Sequence, residues 1–202
     1  MPPRRMTPDA RRAQLLDVGE QLFSTEPFDE VSMEQIAASA GVTRALLYHY
    51  FPTKADFFAA IWHRAHDSLR ATAPLHAAAT VREGLLATLT GYLDFYARNL
   101  PLVLIANRSS IAGSPVVREP IDATFRTLCA AILDATGATG HHRELAEAAF
   151  AGWVAFVRET TLATLVDRTI TPEDNLALCT AALDATVGAH ADLYAAARGT
   201  VR

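Results

Sequence analysis

The stretch AASAGVTRALLYHYFPTK, Ala37 to Lys54, holds a glycine in a short turn, a Thr-Arg pair, two tyrosines around a histidine, and the chain's single lysine. Helix grammar surrounds it. Ser32, with Gln35 three residues on, makes a capping box for a short helix. Gly41 stands where that helix turns through a left-handed conformation, which costs other residues about 1 kcal/mol or more. Thr43 then caps a further helix that stops before Pro52. Met33 to Pro52 is therefore predicted to be a helix-turn-helix. Ile36, Val42 and Leu47 supply its apolar contacts, and Ala37 is small where the helices cross.

The polar residues then share one use. A helix entering a major groove N-terminus first presents Thr43 and Arg44 to the bases. Arg44 can donate two hydrogen bonds to guanine, Thr43 can meet a base edge or phosphate, and Ala45 leaves room to touch a thymine methyl. Tyr48, His49 and Tyr50 offer donors at phosphate height. Lys54 is a point charge for the flanking backbone at a helix start. Ser32 is taken with them as a DNA-binding candidate. Arg4, Arg5, Arg11 and Arg12 make the N-terminal arm basic, suited to a phosphate or the minor groove. Tyrosines on a short helix also serve as packing, and that alternative stays open for Tyr48 and Tyr50.

The longer stretch FDEVSMEQIAASAGVTRALLYHYFPTKADFF resembles the DNA-binding domain of the TetR family of bacterial transcriptional regulators, above all in IAASAGV and LYHYFPTK. The resemblance implies an N-terminal three-helix DNA-binding domain (residues 1–53) and a C-terminal helical domain (residues 54–202) that binds a small ligand and dimerises. It implies a cytoplasmic homodimeric repressor of a palindromic operator, released by a small-molecule effector. Pro52 departs from the family pattern, standing where many members carry a polar or basic residue, and so takes away one phosphate contact.

The chain as a whole fits an all-α protein. It has 202 residues, enough to bury a core as one domain or two, and a net charge of −4, which argues against coating nucleic acid non-specifically. Residues 1–56 hold six basic and eight acidic side chains, so specificity must rest on few contacts. Cys129 and Cys179 lie far apart in apolar helical patterns, as reduced buried thiols do. The uncharged stretch 148–157 is too short to span a membrane, and no secretory signal opens the chain. Caps and breakers predict about nine helices. Thr7-Pro8-Asp9 opens the first and Thr53 with Asp56 the fourth, which runs towards Pro74. Later helices are expected at Val81–Asn99, Pro101–Arg108, from Ser114-Pro115 with a kink or a fresh start at Pro120, at Arg143–Val166, and at Pro172–Ala197.

The last two helices carry apolar stripes that are candidates for a dimer interface: Phe150, Val154, Val157 and Thr161 on one, and Leu176, Leu183, Val187, His190 and Tyr194 on the other. Core packing claims part of the same stripes. Ligand-pocket candidates are the aromatic and polar residues of the central helices: Trp62, His66, Tyr92, Tyr96, Asn107, Arg108, Phe125, Trp153 and Phe156. Arg108 and Arg158 interrupt apolar runs, either to meet an acid ligand or to pair with a carboxylate such as Glu159. A ligand that shifts the fourth helix would alter the spacing of two recognition helices. An enzyme is poorly supported: no phosphate loop, nucleophile motif or metal-ligand spacing appears, and the cluster His141-His142 with Glu144 reads as a solvated helix start. No cofactor is expected. A helical scaffold would have no use for the Thr43-Arg44 tip.

Overall fold

A computed structural model describes residues 6–72 and 78–197. Arg4, Arg5 and the expected stop at Pro74 lie outside the described residues. Among the described residues the chain forms nine α-helices and no strand: α1 (Pro8–Thr25), α2 (Met33–Ser39), α3 (Arg44–Tyr50), α4 (Lys54–Thr72), α5 (Val81–Arg98), α6 (Leu100–Arg108), α7 (Pro115–Thr136), α8 (Gly140–Leu162) and α9 (Pro172–Thr186). A π-helical turn, Ala163–Asp167, follows α8. The described residues form two compact units, one up to Asp67 together with Asn99–Ile121, the other Ser68–Arg98 together with the chain from Asp122 onward.

In the first unit the expected caps are in place. Thr7 accepts the Ala10 amide at 3.2 Å, Ser32 the Gln35 amide at 3.1 Å, and Thr43 the Leu46 amide at 3.3 Å. Each satisfies one of the donors that a helix start leaves over. The core is aromatic: Phe23 lies 5.7 Å from Phe28, 6.2 Å from Phe57 and, edge-on, 5.5 Å from Phe58. Gly19 lets α1 approach this cluster. A Cβ there would stand 2.3 Å from the Phe57 ring, closer than any side chain tolerates. Further along α4, Trp62 stacks on Phe58, and His66 lies edge-on to Trp62 at 4.4 Å. Burial, with His63 adding to it, holds the His66 pKa down to about 4.

In the second unit the chain end closes the start of α5. The amides of Val81 and Arg82 donate to the carbonyls of Ala195 at 3.0 Å and Leu193 at 2.8 Å. The Arg82 fork holds both oxygens of Asp184, at 2.8 and 2.7 Å. Helix α8 packs along α9 and buries Phe150, Trp153, Val157 and Thr161. A polar seam joins the pair. The Trp153 indole donates to the Cys179 carbonyl at 2.8 Å, and Asn175, 1 % exposed, donates to the Thr161 hydroxyl at 3.3 Å.

The structure corrects three expectations. Helix α7 does not start afresh at Pro120, which lies inside it, so of the two expected readings only the kink site is left. The amide that Pro120 lacks would have served Val116, and Val116 is exposed, so water can satisfy its carbonyl. Helix α9 stops at Thr186 rather than Ala197: the Gly188 amide closes it on the Leu183 carbonyl at 3.1 Å, and the chain then turns to meet α5. Finally, α8 with its π turn, Gly140–Asp167, is 28 residues long and by length and composition alone could cross a membrane. The expectation had counted only the uncharged stretch. It packs on α9 along one face, and 28 % of the qualifying window is buried.

Candidate functional site

The turn between α2 and α3 is built as the sequence predicts. Gly41 has φ +64°, and the Val42 amide donates back to the Ala37 carbonyl at 3.0 Å. Ile36, Ala37 and Leu47 are buried between the helices. This fixes what α3 shows to solvent: Thr43, Arg44, Ala45, Tyr48 and His49 are exposed, and Tyr50 is half-buried beside His49 and Phe51. Ser32 is exposed as the α2 cap. A row of polar side chains along one exposed helix face can meet base edges and phosphates together.

Two charged residues are placed in ways the sequence did not announce. Lys54 does not stand free for a phosphate. Its ammonium donates to the carbonyls of Phe28 at 2.7 Å and Val31 at 2.9 Å, and lies 4.2 Å from the centre of the Phe28 ring. The loop after Pro27 leaves those carbonyls without helical partners, and Lys54 at the start of α4 supplies the donors. Arg44 is ion-paired with Glu34 of α2, and both side chains remain at least half exposed. Glu34 was missed because ten residues separate the pair in sequence; only the turn brings them together.

The pocket candidates divide. An apolar cavity in the second unit has about 380 Å³ of space not filled by atoms, part of it open to solvent. Tyr92, Phe125 and Trp153 line it, as expected, with Leu85 and Leu89 of α5 and Leu128 of α7. Phe150, Val154 and Val157, read as dimer contacts, also line it. Trp62 and His66 belong instead to the buried aromatic core of the first unit. The Asn107 amide donates to the Val103 carbonyl at 2.8 Å within α6, and Arg108 is exposed on the same helix. Tyr96 is buried against the Tyr92 ring at 4.3 Å, and Phe156 points outward. Burial, reinforced by Tyr96, raises the Tyr92 pKa well above the usual tyrosine value. Arg158 pairs with Glu159 at 3.2 Å.

The dimer stripes are largely interior. Phe150, Val157, Thr161, Leu183 and Val187 are buried within their own unit, while Val154, Leu176 and His190 are half-buried. Tyr194 is 71 % exposed but lies beyond the end of α9. The apolar side chains that α8 and α9 do show are Leu145, Phe156 and Leu178, set among exposed Ala151, Gly152, Ala177, Ala181 and Ala185. Core packing claims this much of the stripes because both faces of each helix are apolar, and periodicity does not say which one the rest of the unit covers. His141 and Glu144 form an exposed pair at 3.2 Å. No group of three or more His, Cys, Asp and Glu poised for a metal occurs among the described residues.

Comparison with known proteins agrees with this architecture. A family model described as bacterial regulatory proteins, tetR family, matches residues 15–61. A solved tetR-family transcriptional regulator from Streptomyces coelicolor is 30 % identical, with a TM-score of 0.67, over 90 % of this chain and 80 % of that one. The chain belongs to the TetR family. This membership places it among regulators rather than enzymes. The HTH-type transcriptional regulator AcrR of Shigella flexneri is 29 % identical over 125 residues, 58 % of this chain and 57 % of AcrR. The HTH-type transcriptional activator FasR of Mycolicibacterium smegmatis is 30 % identical over 93 residues, 45 % of this chain and 42 % of FasR. The chain thus spans about half the length of these relatives.

Proposed function

We propose that this TetR-family chain is a DNA-binding transcriptional repressor that reads a palindromic operator as a homodimer in the cytoplasm and is released by a small, mainly hydrophobic ligand. The observation that carries this reading is the α3 surface. Leu47 is fully buried while Thr43, Arg44, Ala45, Tyr48 and His49 all face solvent, so the helix is anchored on one side and offers donors on the other. One such helix covers few base pairs, and two related by a two-fold axis read half-sites about one turn (~34 Å) apart. The exposed α8–α9 face around Phe156 and Leu178 suits a second copy, because its alanines and glycine permit close helix approach. The cavity beside Trp153 suits an apolar effector. Ligand and DNA then oppose each other by linkage. With Lys54 holding carbonyls, phosphate contact falls to Thr43, Tyr48 and His49.

Mapping bound sites across the source genome, then titrating one recovered fragment by polarisation, tests this. An inverted repeat is expected, and Arg44→Ala should weaken the specific site about 10-fold or more and relax one base position. Phe156→Arg should give a monomer that loses the operator. Asymmetric sites, or operator binding by a lone subunit, would overturn the homodimer. Retention of no fragment would overturn the regulator itself. FasR is an activator, so a reporter gene downstream of the operator decides the sign: rising expression on deletion supports repression.

A further inference from the structure

The cavity is lined almost wholly by apolar side chains, and a cation, Arg158, neighbours two of the α8 residues that line it. Val154 and Val157 of α8 line it, and Arg158 follows Val157 directly and lies one helical turn beyond Val154, which places it on the flank of the same face. The Arg158 side chain is only 25 % exposed, yet its one hydrogen bond among the described contacts goes from Nε to Glu159, a neighbouring carboxylate that is itself 65 % exposed. The two Nη groups, which form the fork that grips carboxylates, make no such bond. The Arg158 charge is also felt at the Tyr92 hydroxyl, where it works against the upward shift caused by burial. Tyr92 is a lining residue, so the guanidinium lies within electrostatic range of the cavity wall. The Arg158 side chain is thus largely covered along its stem, and among the described contacts its Nη fork holds no carboxylate. An anion at the cavity can take that fork.

We propose that the cavity takes an amphiphilic anion, a carboxylate on an apolar body, with Arg158 meeting the charged end. This rests on the reading of the cavity as the effector site and names the ligand's chemical class. The apolar body lies against Leu85, Leu89, Phe150 and Val154, where an alkyl or planar group replaces water. The carboxylate takes the Nη fork, and Glu159 swings to solvent at little cost because it is already exposed.

The test is titration of the full chain with decanoate and decan-1-ol, read by tryptophan fluorescence and by isothermal calorimetry. Decanoate should bind about 10-fold or more tighter than the alcohol, the size of one charge-assisted contact. Arg158→Gln should erase that preference and leave decanol within about twofold of its original affinity, whereas Arg158→Lys should restore part of it. Equal binding of acid and alcohol by the unaltered chain, or an equal loss of both in Arg158→Gln, would overturn the anion proposal while leaving the cavity standing as a neutral-ligand site. Val154→Trp fills the cavity and should abolish both ligands. Should neither ligand bind the unaltered chain, or both persist in Val154→Trp, the cavity reading fails and the proposal fails with it. The acid-to-alcohol ratio needs no variant, so a misfolded Arg158→Gln would not rescue the idea.

Discussion

The α2–α3 pair of the first unit and the α8–α9 pair of the second each contain a helix, α2 and α9, that opens with the same grammar, a Ser or Thr cap answered three residues on by Gln35 or Asp174. They put their polar side chains to opposite use. In α2–α3 the interior is Ile36, Ala37 and Leu47, and Arg44, Glu34, Tyr48 and His49 point outward. In α8–α9 the polar groups Asn175 and Thr161 lie inside, while Phe156 and Leu178 point outward. A surface of exposed polar side chains, its one ion pair still open to water, suits a polar partner such as DNA. A surface of apolar side chains, over a seam whose hydrogen bonds are already made, suits another apolar surface.

Substitutions can break or sharpen this contrast. The largest effect is expected in the first unit at Gly19→Ala, where the new methyl meets the Phe57 ring; the loss should be about 3 kcal/mol or more, read as a fall in thermal midpoint. An unchanged midpoint would mean that α1 does not approach α4 as closely as described. Next comes acid. The folded pKa of His66 lies at about 4, below its ordinary 6.5, so the unfolded chain binds the proton more readily. Its contribution is intact above pH 6.5 and is lost as pH falls towards 4, by up to about 3 kcal/mol. His66→Phe should flatten that part of a denaturant-versus-pH profile, and a profile of the same slope would exclude His66 as its source.

Lys54→Ala separates two roles for one residue. As a tie to Phe28 and Val31 it should cost about 2 kcal/mol of stability and leave the salt dependence of DNA binding unaltered. A flatter salt slope in a fully stable variant would return Lys54 to the phosphates. The smallest effect is expected in the second unit. Trp153→Phe removes the bond to the Cys179 carbonyl and should cost about 1 kcal/mol, seen in urea unfolding. A larger loss would make the polar seam, rather than the apolar cavity wall, the chief support of that face.

The first unit was more legible than the second. Thr7, Ser32, Thr43 and Thr53 act within three residues of where they stand, and Gly41 needs its positive φ for the turn alone. Such signals survive in a bare sequence. The end of α9 did not, because it depends on the chain from Leu193 to Ala195 reaching the start of α5, more than a hundred residues away. The cavity was half legible: Tyr92, Phe125 and Trp153 were picked out as aromatics at helical spacing, but Trp62 and His66 share that spacing and serve a different core.

The sequence by itself determined where helices start and turn and which residues stand at the tip of α3, because caps, glycines and prolines act through bonds that reach only a few residues. The tertiary structure decided which apolar face of α8 lines a cavity and which faces outward, and that Lys54 ties a loop. Burial is a property of what lies opposite a side chain, and what lies opposite comes from parts of the chain that no local pattern names.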